Sequence, residues 1–380
     1  MTSEIAGAVA DPRRLHIVID GRELVGRPTG VGRYVMSVLT QWATGKTGHR
    51  FTVIVPGAVP AELAALAPTI HVHQVSATSI GTIFEQFRLP GIVTSLAPDV
   101  FFAPAYTAPL RRTCPTVLLI HDLAYFAHPE WFRWREGLRR RWITRWAAAN
   151  AAALLTVSHV SAHEISAFLN HPEAGIGIAP GGAPDVDVAV DDTPRAPIVL
   201  YVGSIFARRR IPELIGAFAD VVKHVPAARL VLVGDNRSTP PVDPNALAAA
   251  AGLSPQVDWR RYVSDDELHA LYGTARVFAF LSDYEGFAMT PAEAIAKGVP
   301  AVMLDTPIAR EVYGDGALRV GPTTRELSAA LITLLTDDRA HEAQLAQGRA
   351  QLSTLSWQRT ADVILTALTK AAAARSGDQP

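Results

Sequence analysis

Ten short runs of apolar, largely β-branched residues recur along this chain, separated by stretches of helical character. That alternation limits the possible folds more than any other feature of the sequence. In the first half the runs are Leu15–Asp20, Phe51–Val55, Ile70–Val75, Asp99–Phe102, Thr116–Ile120 and Ala153–Val157. In the second they are Ile198–Val202, Arg229–Val233, Val277–Leu281 and Pro300–Leu304. Their near-continuous apolar character suits parallel strands buried on both faces. Helices are predicted between them, among others at Gly32–Trp42, Pro212–His224 and Pro291–Lys297. The β-α-β-α pattern in both halves predicts an α/β protein of two Rossmann-like domains facing each other across a cleft. Ligands of open α/β sheets bind outside the carboxyl ends of the strands, so the chemistry is expected in the loops after strands.

The 380 residues exceed what one hydrophobic core usually organises, about 250–300 residues. With 49% hydrophobic and 19% charged residues, there is enough apolar matter for two cores. The boundary is expected in Gly181–Pro197, rich in Gly, Pro and Asp and without helical period. The expected organisation is a flexible start (1–14), an acceptor-side domain (15–182), a linker (183–197) and a nucleotide-sugar-binding domain (198–355). A last helix (356–374), beginning near Trp357 and packing back on the first domain, and a tail (375–380) complete it. The single cysteine, Cys114, excludes an internal disulfide and fits a reducing compartment. Residues Met1–Arg14 hold no apolar run of the secretory kind, and no run approaches the roughly 18 residues that span a bilayer. A cytoplasmic protein is the expectation. The net charge of −1 gives no reason to expect a nucleic-acid partner.

The segment from Ser282 to Glu293 follows a predicted buried strand and opens a helix. Thr290 suits the cap, Pro291 the first helical position, and the open N–H groups of the first turn suit an anion. Gly286 lets backbone approach a ligand closely. Glu285 lies in the loop and Glu293 in the first turn. Two readings stand for Thr290-x-x-Glu293: ligand contact, or a capping box. Ser161-x-x-Glu164 and Ser264-x-x-Glu267 carry the same pattern and are read as capping boxes.

Glu285-Gly286-Phe287, followed by Pro291-Ala292-Glu293-Ala294-Ile295-Ala296-Lys297-Gly298-Val299-Pro300, resembles the signature of the family 4 retaining glycosyltransferases, which have the GT-B fold. Other segments agree in order: Thr29-Gly30-Val31-Gly32-Arg33-Tyr34 is similar to the family's N-domain glycine loop, and His121-Asp122 to its histidine facing the donor sugar. Tyr201-Val202-Gly203-Ser204 with Arg208-Arg209 resembles the strand and basic pair that meet the diphosphate. Tyr262 to Leu268, with Val263 and Asp265, resembles the segment beside the base. The resemblance implies that Glu285 and His121 act at the transferred sugar and that Glu293 holds the ribose. It implies that Gly30, Gly203, Arg208, Arg209, Gly286, Phe287, Ala288 and Met289 bind the donor. The family's usual Arg-Lys pair is Arg-Arg here, and Ala288 stands where many relatives have Gly.

The implied reaction transfers a sugar from a UDP- or GDP-linked donor to a glycan or lipid-linked acceptor, without cofactor or metal. Positive charge developing on the sugar would meet Glu285, and negative charge on the leaving group would meet the arginines and the helix terminus. A nucleotide-sugar epimerase, a phosphorylase and a non-catalytic partner subunit are the alternatives on such a scaffold. Three features are set aside. Gly30-x-Gly32-x-x-Val35 has valine at the third glycine of the dinucleotide fingerprint. Asp185-x-Asp187 sits in the linker, and His71 and His73 alternate along a strand. Trp131, Trp134, Leu138, Trp142 and Trp146 recur at helical spacing among six arginines. That stretch, Trp131–Trp146, reads either as a peripheral contact with an anionic membrane or as a stripe packed into the core.

Overall fold

The computed structural model describes residues 13–26, 29–76, 81–184 and 195–377. Strands β1 (His16–Asp20), β2 (Arg50–Pro56), β3 (Ile70–Val75), β4 (Val100–Ala103), β5 (Thr116–Ile120), β6 (Ala153–Thr156) and β7 (Ile176–Ile178) form one sheet, in the order β3-β2-β1-β4-β5-β6-β7. Strands β8 (Ala196–Val202), β9 (Arg229–Val233), β10 (Val257–Arg260), β11 (Ala275–Phe280), β12 (Ala301–Leu304) and β13 (Leu318–Val320) form the other, in the order β10-β9-β8-β11-β12-β13. The pairing is parallel: Ile17 lies between Phe51 and Val100, and Val199 between Leu230 and Val277. Every residue of β4, β5 and β12 is buried, as strands covered on both faces must be. All ten predicted strands are present, within two residues at their ends.

Strand order reverses once in each sheet, between β1 and β4 and between β8 and β11. Crossovers leave such a pair of strands in opposite directions, which opens a crevice outside their carboxyl ends. The loops after β8 and β11 therefore become the natural seat of a ligand in the second sheet.

The chain forms two compact units. One comprises Met1–Leu119, Trp146–Leu154 and Ile364–Pro380, the other Ile120–Arg145 and Leu155–Val363. In the first, Trp42 stacks on Phe51 with ring centroids 4.9 Å apart and meets Phe102 edge-on at 6.2 Å. In the second, Tyr201, Phe218 and Phe278 are fully buried, and Tyr201 stacks on Phe280. Helix Gly30–Thr44 starts at Thr29, whose hydroxyl accepts from Gly32 N–H at 2.9 Å. Helix Ile211–His224 carries Pro212 in its first turn, where the missing N–H costs nothing.

Local caps divide the three expected boxes. Ser264 and Glu267 exchange both bonds, Glu267 N–H to Ser264 Oγ at 3.2 Å and Ser264 N–H to Glu267 Oε2 at 2.8 Å. The Ser161 box does not form. Helix His159–Leu169 is capped three residues earlier by Ser158, which accepts from Ser161 N–H at 3.1 Å, and the Glu164 carboxylate takes the hydroxyl of Tyr284 instead. The Glu311 carboxylate also serves this helix end, accepting from His159 and Val160 N–H at 2.7 and 2.9 Å.

The tryptophan stretch folds as a short turn, Pro129–Trp131, and a helix, Trp134–Ala149. The expectation of a stripe packed into the core is overturned: Trp134, Leu138 and Trp142 are 68%, 51% and 59% exposed. Asp185 and Asp187 lie outside the described residues. Among the described residues, no three His, Cys, Asp or Glu side chains gather as a metal site, and no helix is long and apolar enough to cross a membrane.

The exposed box gives a clean test of local energetics. Ser264→Ala should lower the unfolding free energy by about 1 kcal/mol in urea denaturation. An unchanged midpoint would show that the box contributes nothing to stability.

Candidate active site

The loop after β8 brings Gly203, at φ +150°, against the loop after β9. Gly203 N–H bonds Val233 O at 2.9 Å, and a Cβ on Gly234 would lie 1.9 Å from Gly203 O. The chain then runs through Phe206 into a turn, Ala207–Arg209. Arg208 and Arg209 are not the solvated surface run that basic triplets commonly make, since their side chains are 18% and 12% exposed. The third arginine diverges. Arg210 adopts a left-handed φ of +50°, and its Nε donates to Asp283 Oδ1 at 2.7 Å. Asp283 N–H in turn donates to Arg208 O at 2.9 Å, so the loops after β8 and β11 are joined at both backbone and side chain.

Glu285 stands where these loops meet. Its Oε1 takes Arg209 Nη2 at 3.0 Å and the Ser282 hydroxyl at 2.5 Å, with Arg208 Nε 3.7 Å away. Burying a guanidinium without a partner is costly. Even so, Arg208 Nε and Arg209 Nε and Nη1 are buried with no hydrogen-bond acceptor. Three donor nitrogens at a strand-order reversal, held beside one carboxylate, form a site with donor capacity to spare.

Gly286 is indispensable for a reason other than the one expected. A Cβ there would lie 2.0 Å from the carbonyl oxygen of His121, so it is this peptide, after β5, that makes the close approach. The same carbonyl accepts from Ser161 Oγ at 3.2 Å, and His121 is 9% exposed. The structure thus brings His121 and Glu285-Gly286 together in one unit. Asp122, the neighbour of His121, accepts from Ala124 N–H at 3.0 Å.

The helix after the loop starts earlier than expected, at Met289, with Ala288 as cap residue at φ +67°. Thr290 is its second residue and Pro291 its third. Neither the Thr290 cap nor the Thr290–Glu293 box forms, and the buried Thr290 hydroxyl has no hydrogen-bond partner. Tyr313, fully buried, does the capping work: its hydroxyl accepts from Ala292 N–H at 3.1 Å and donates to Ala288 O. Burial pushes its ionisation far above the ordinary tyrosine range. The next side chain before Glu285, Tyr284, donates to Glu164 and accepts from Leu123 N–H at 3.2 Å. Burial raises the Glu164 carboxyl above its usual range, against the Tyr284 hydrogen bond.

Phe287 and Ala288 are buried, while Met289 and Glu293 are partly exposed. Val263 is buried, and Asp265 is the exposed first residue of helix Asp265–Thr274, after edge strand β10. Gly30, at the start of its own helix, belongs to the other compact unit. Ser282, Asp283, Arg210, Tyr313 and Glu164 escaped sequence reasoning. The first two border the Glu285 motif, and Arg210 ends the basic triplet. Tyr313 and Glu164 reach the site only through the fold.

Two substitutions test this geometry. Gly286→Ala must displace the His121 peptide and should cost about 1–3 kcal/mol. Ala288→Gly relieves a left-handed alanine and should add about 1 kcal/mol. Chemical denaturation measures both, and a neutral Gly286→Ala would contradict the close approach.

Comparison with known proteins agrees with this arrangement. The family described as Glycosyltransferase Family 4 matches residues 28–186, and the family described as Glycosyl transferases group 1 matches residues 190–351. The chain is 27% identical over 280 residues to O-antigen chain mannosyltransferase B of Escherichia coli, covering 68% of this chain and 71% of that protein. It is 31% identical over 257 residues to MMP alpha-(1->4)-mannosyltransferase of Mycolicibacterium hassiacum, covering 63% of this chain and 60% of that protein. The fold is similar to that of Anabaena HepE, solved in complex with UDP and glucose, with a TM-score of 0.71 and 18% identity across 94% of this chain and all of the other. With the two matched families dividing the chain between its two Rossmann-like halves, and the Glu285–Glu293 motif set at the strand-order reversal of the second, this chain belongs to the family 4 glycosyltransferases of GT-B fold.

Proposed function

We propose that the chain is a retaining, metal-independent glycosyltransferase that moves a hexosyl group from a UDP- or GDP-linked donor to a glycan or lipid-linked acceptor in polysaccharide biosynthesis. Both curated relatives named above are mannosyltransferases, which favours a mannosyl donor. The observation that carries the reading is the set of buried, partnerless N–H groups on Arg208 and Arg209 beside Glu285. Guanidinium edges match phosphate oxygens bidentately, and they would stabilise the diphosphate as the bond from the anomeric carbon to its phosphate oxygen breaks. The acceptor oxygen would attack the same face, passing its proton to a phosphate oxygen. Glu285 would face the sugar and Glu293 the ribose, with the backbone at Phe287, Ala288 and Met289 beside sugar and phosphate. A cytoplasmic site fits the single cysteine.

The exposed face of helix Trp134–Ala149 favours a peripheral contact with the inner face of the membrane. Trp134, Leu138 and Trp142, each four residues on, present one apolar face among Arg135, Arg139, Arg140, Arg141 and Arg145. Only Glu136, paired with Arg140 at 2.7 Å, offsets these charges within the helix. Tryptophan at the headgroup level and arginine against anionic lipid make such a helix interfacial.

Glu285→Gln should lower turnover sharply with little change in affinity for the free nucleoside diphosphate, whereas Glu293→Ala should weaken that affinity. Calorimetry separates the two, and equal losses would contradict the roles. Proton NMR of fresh product from an α-linked donor should show an α linkage. A β product would overturn retention, and interconversion of the free donor would point to an epimerase.

Sedimentation with phosphatidylglycerol vesicles at low salt should carry the protein down, and Arg139, Arg140 and Arg141 changed to Gln should abolish this while nucleotide binding persists. Wild-type protein left in the supernatant would refute the membrane contact.

A further inference from the structure

Resting on the donor-binding reading above, we infer that Trp131 is a positioning residue for the diphosphate clamp, separate in role from the exposed residues that follow it in the same stretch. The Arg208 guanidinium lies against two rings: its Cζ is 4.4 Å from the centroid of Phe206 and 5.9 Å from that of Trp131. Arg209 is held in the same manner, 4.4 Å from the centroid of Phe280. A ring face attracts the flat face of a guanidinium and leaves its in-plane N–H groups unused. That is the state observed, since Arg208 Nε and Arg209 Nε and Nη1 have no acceptor. The rings therefore fix where the two cations lie without consuming the donors that would meet phosphate oxygens.

Phe206 and Phe280 flank the arginines in sequence or on the neighbouring strand. Trp131 is different, arriving from the turn Pro129–Trp131, more than seventy residues away in sequence. Its own orientation is fixed. It stacks on His128 with centroids 3.9 Å apart and planes 10° from parallel, and both rings stand nearly perpendicular to Tyr284. Tyr284 is in turn tied to Glu164 and to Leu123 N–H, and it immediately precedes Glu285. One aromatic cluster thus connects Arg208 to the peptide that carries the carboxylate. Removing the indole frees Arg208 to swing out of the plane in which its edge faces the site.

A double-mutant cycle read by calorimetry with UDP and with GDP tests this. Trp131→Leu should weaken binding of whichever diphosphate the wild type takes by about five- to tenfold. Trp131→Phe, which keeps a ring, should restore most of it. In an Arg208→Ala background Trp131→Leu should add less than about twofold, because the residue acts through Arg208. Affinity for the matching nucleoside, which lacks phosphate, should not move. Unchanged diphosphate affinity, an undiminished loss in the Arg208→Ala background, or an equal loss for the nucleoside would each overturn the assignment. If Trp131→Leu fails to fold by thermal melting, the same cycle run with Trp131→Phe gives a smaller but still coupled effect, and additivity there refutes it. A wild type that binds neither diphosphate removes the donor reading, and this inference with it.

Discussion

A single carboxylate beside two largely buried guanidiniums joins the loops after β8 and β11 in the second compact unit. Glu285 offers one oxygen to Arg209 and Ser282, and Arg208 stands just beyond hydrogen-bond range of the same oxygen. Two cations with one counter-charge in a poorly hydrated place would drive the loops apart unless other bonds held them. Those bonds are the Asp283–Arg208 backbone contact, the Arg210–Asp283 ion pair and the ring faces under each guanidinium. Arg210 takes up a left-handed backbone to reach its partner, an energetic cost of about 1–2 kcal/mol that such a junction must offset.

Much of the sheet framework was legible in the sequence because interior parallel strands are apolar on both faces. Nine of the ten runs that form the predicted strands lie where another strand flanks each side. The strands missed, β7, β10 and β13, are all edges of their sheets. An edge is half covered, so Val257-Asp258-Trp259-Arg260 and Leu318-Arg319-Val320 carry charge where an interior strand would carry valine. The other edge, β3, was found because His71 and His73 alternate with apolar residues.

Local pattern was less reliable at the site. Thr290-Pro291-Ala292-Glu293 has the composition of a helix start, yet the helix begins one residue before Thr290, because Ala288 turns left-handed and Tyr313, twenty-five residues on, satisfies the backbone. No window of a dozen residues contains that information. Gly286 stands out in the sequence as a place of close approach, but the atom it makes room for belongs to His121, more than a hundred and sixty residues earlier. The tryptophan stretch shows the same limit. Spacing alone cannot tell Trp131, drawn into a ring cluster, from Trp134 and Trp142, left in solvent.

The Tyr313 hydroxyl sits between Ala292 N–H and Ala288 O, the donor and acceptor that a first helical turn would otherwise join directly. Pro291, just before, has no N–H to offer. Of the four donors that a helix normally leaves open at its start, here at Ala288, Met289, Thr290 and Pro291, the last is absent, which leaves three. Three successive N–H groups around one turn converge on a single tetrahedral anion. A ligand with two linked phosphates would exceed that capacity, so its second phosphate would depend on side chains, and the helix end and the arginines would serve as separate seats with separate sensitivities to salt.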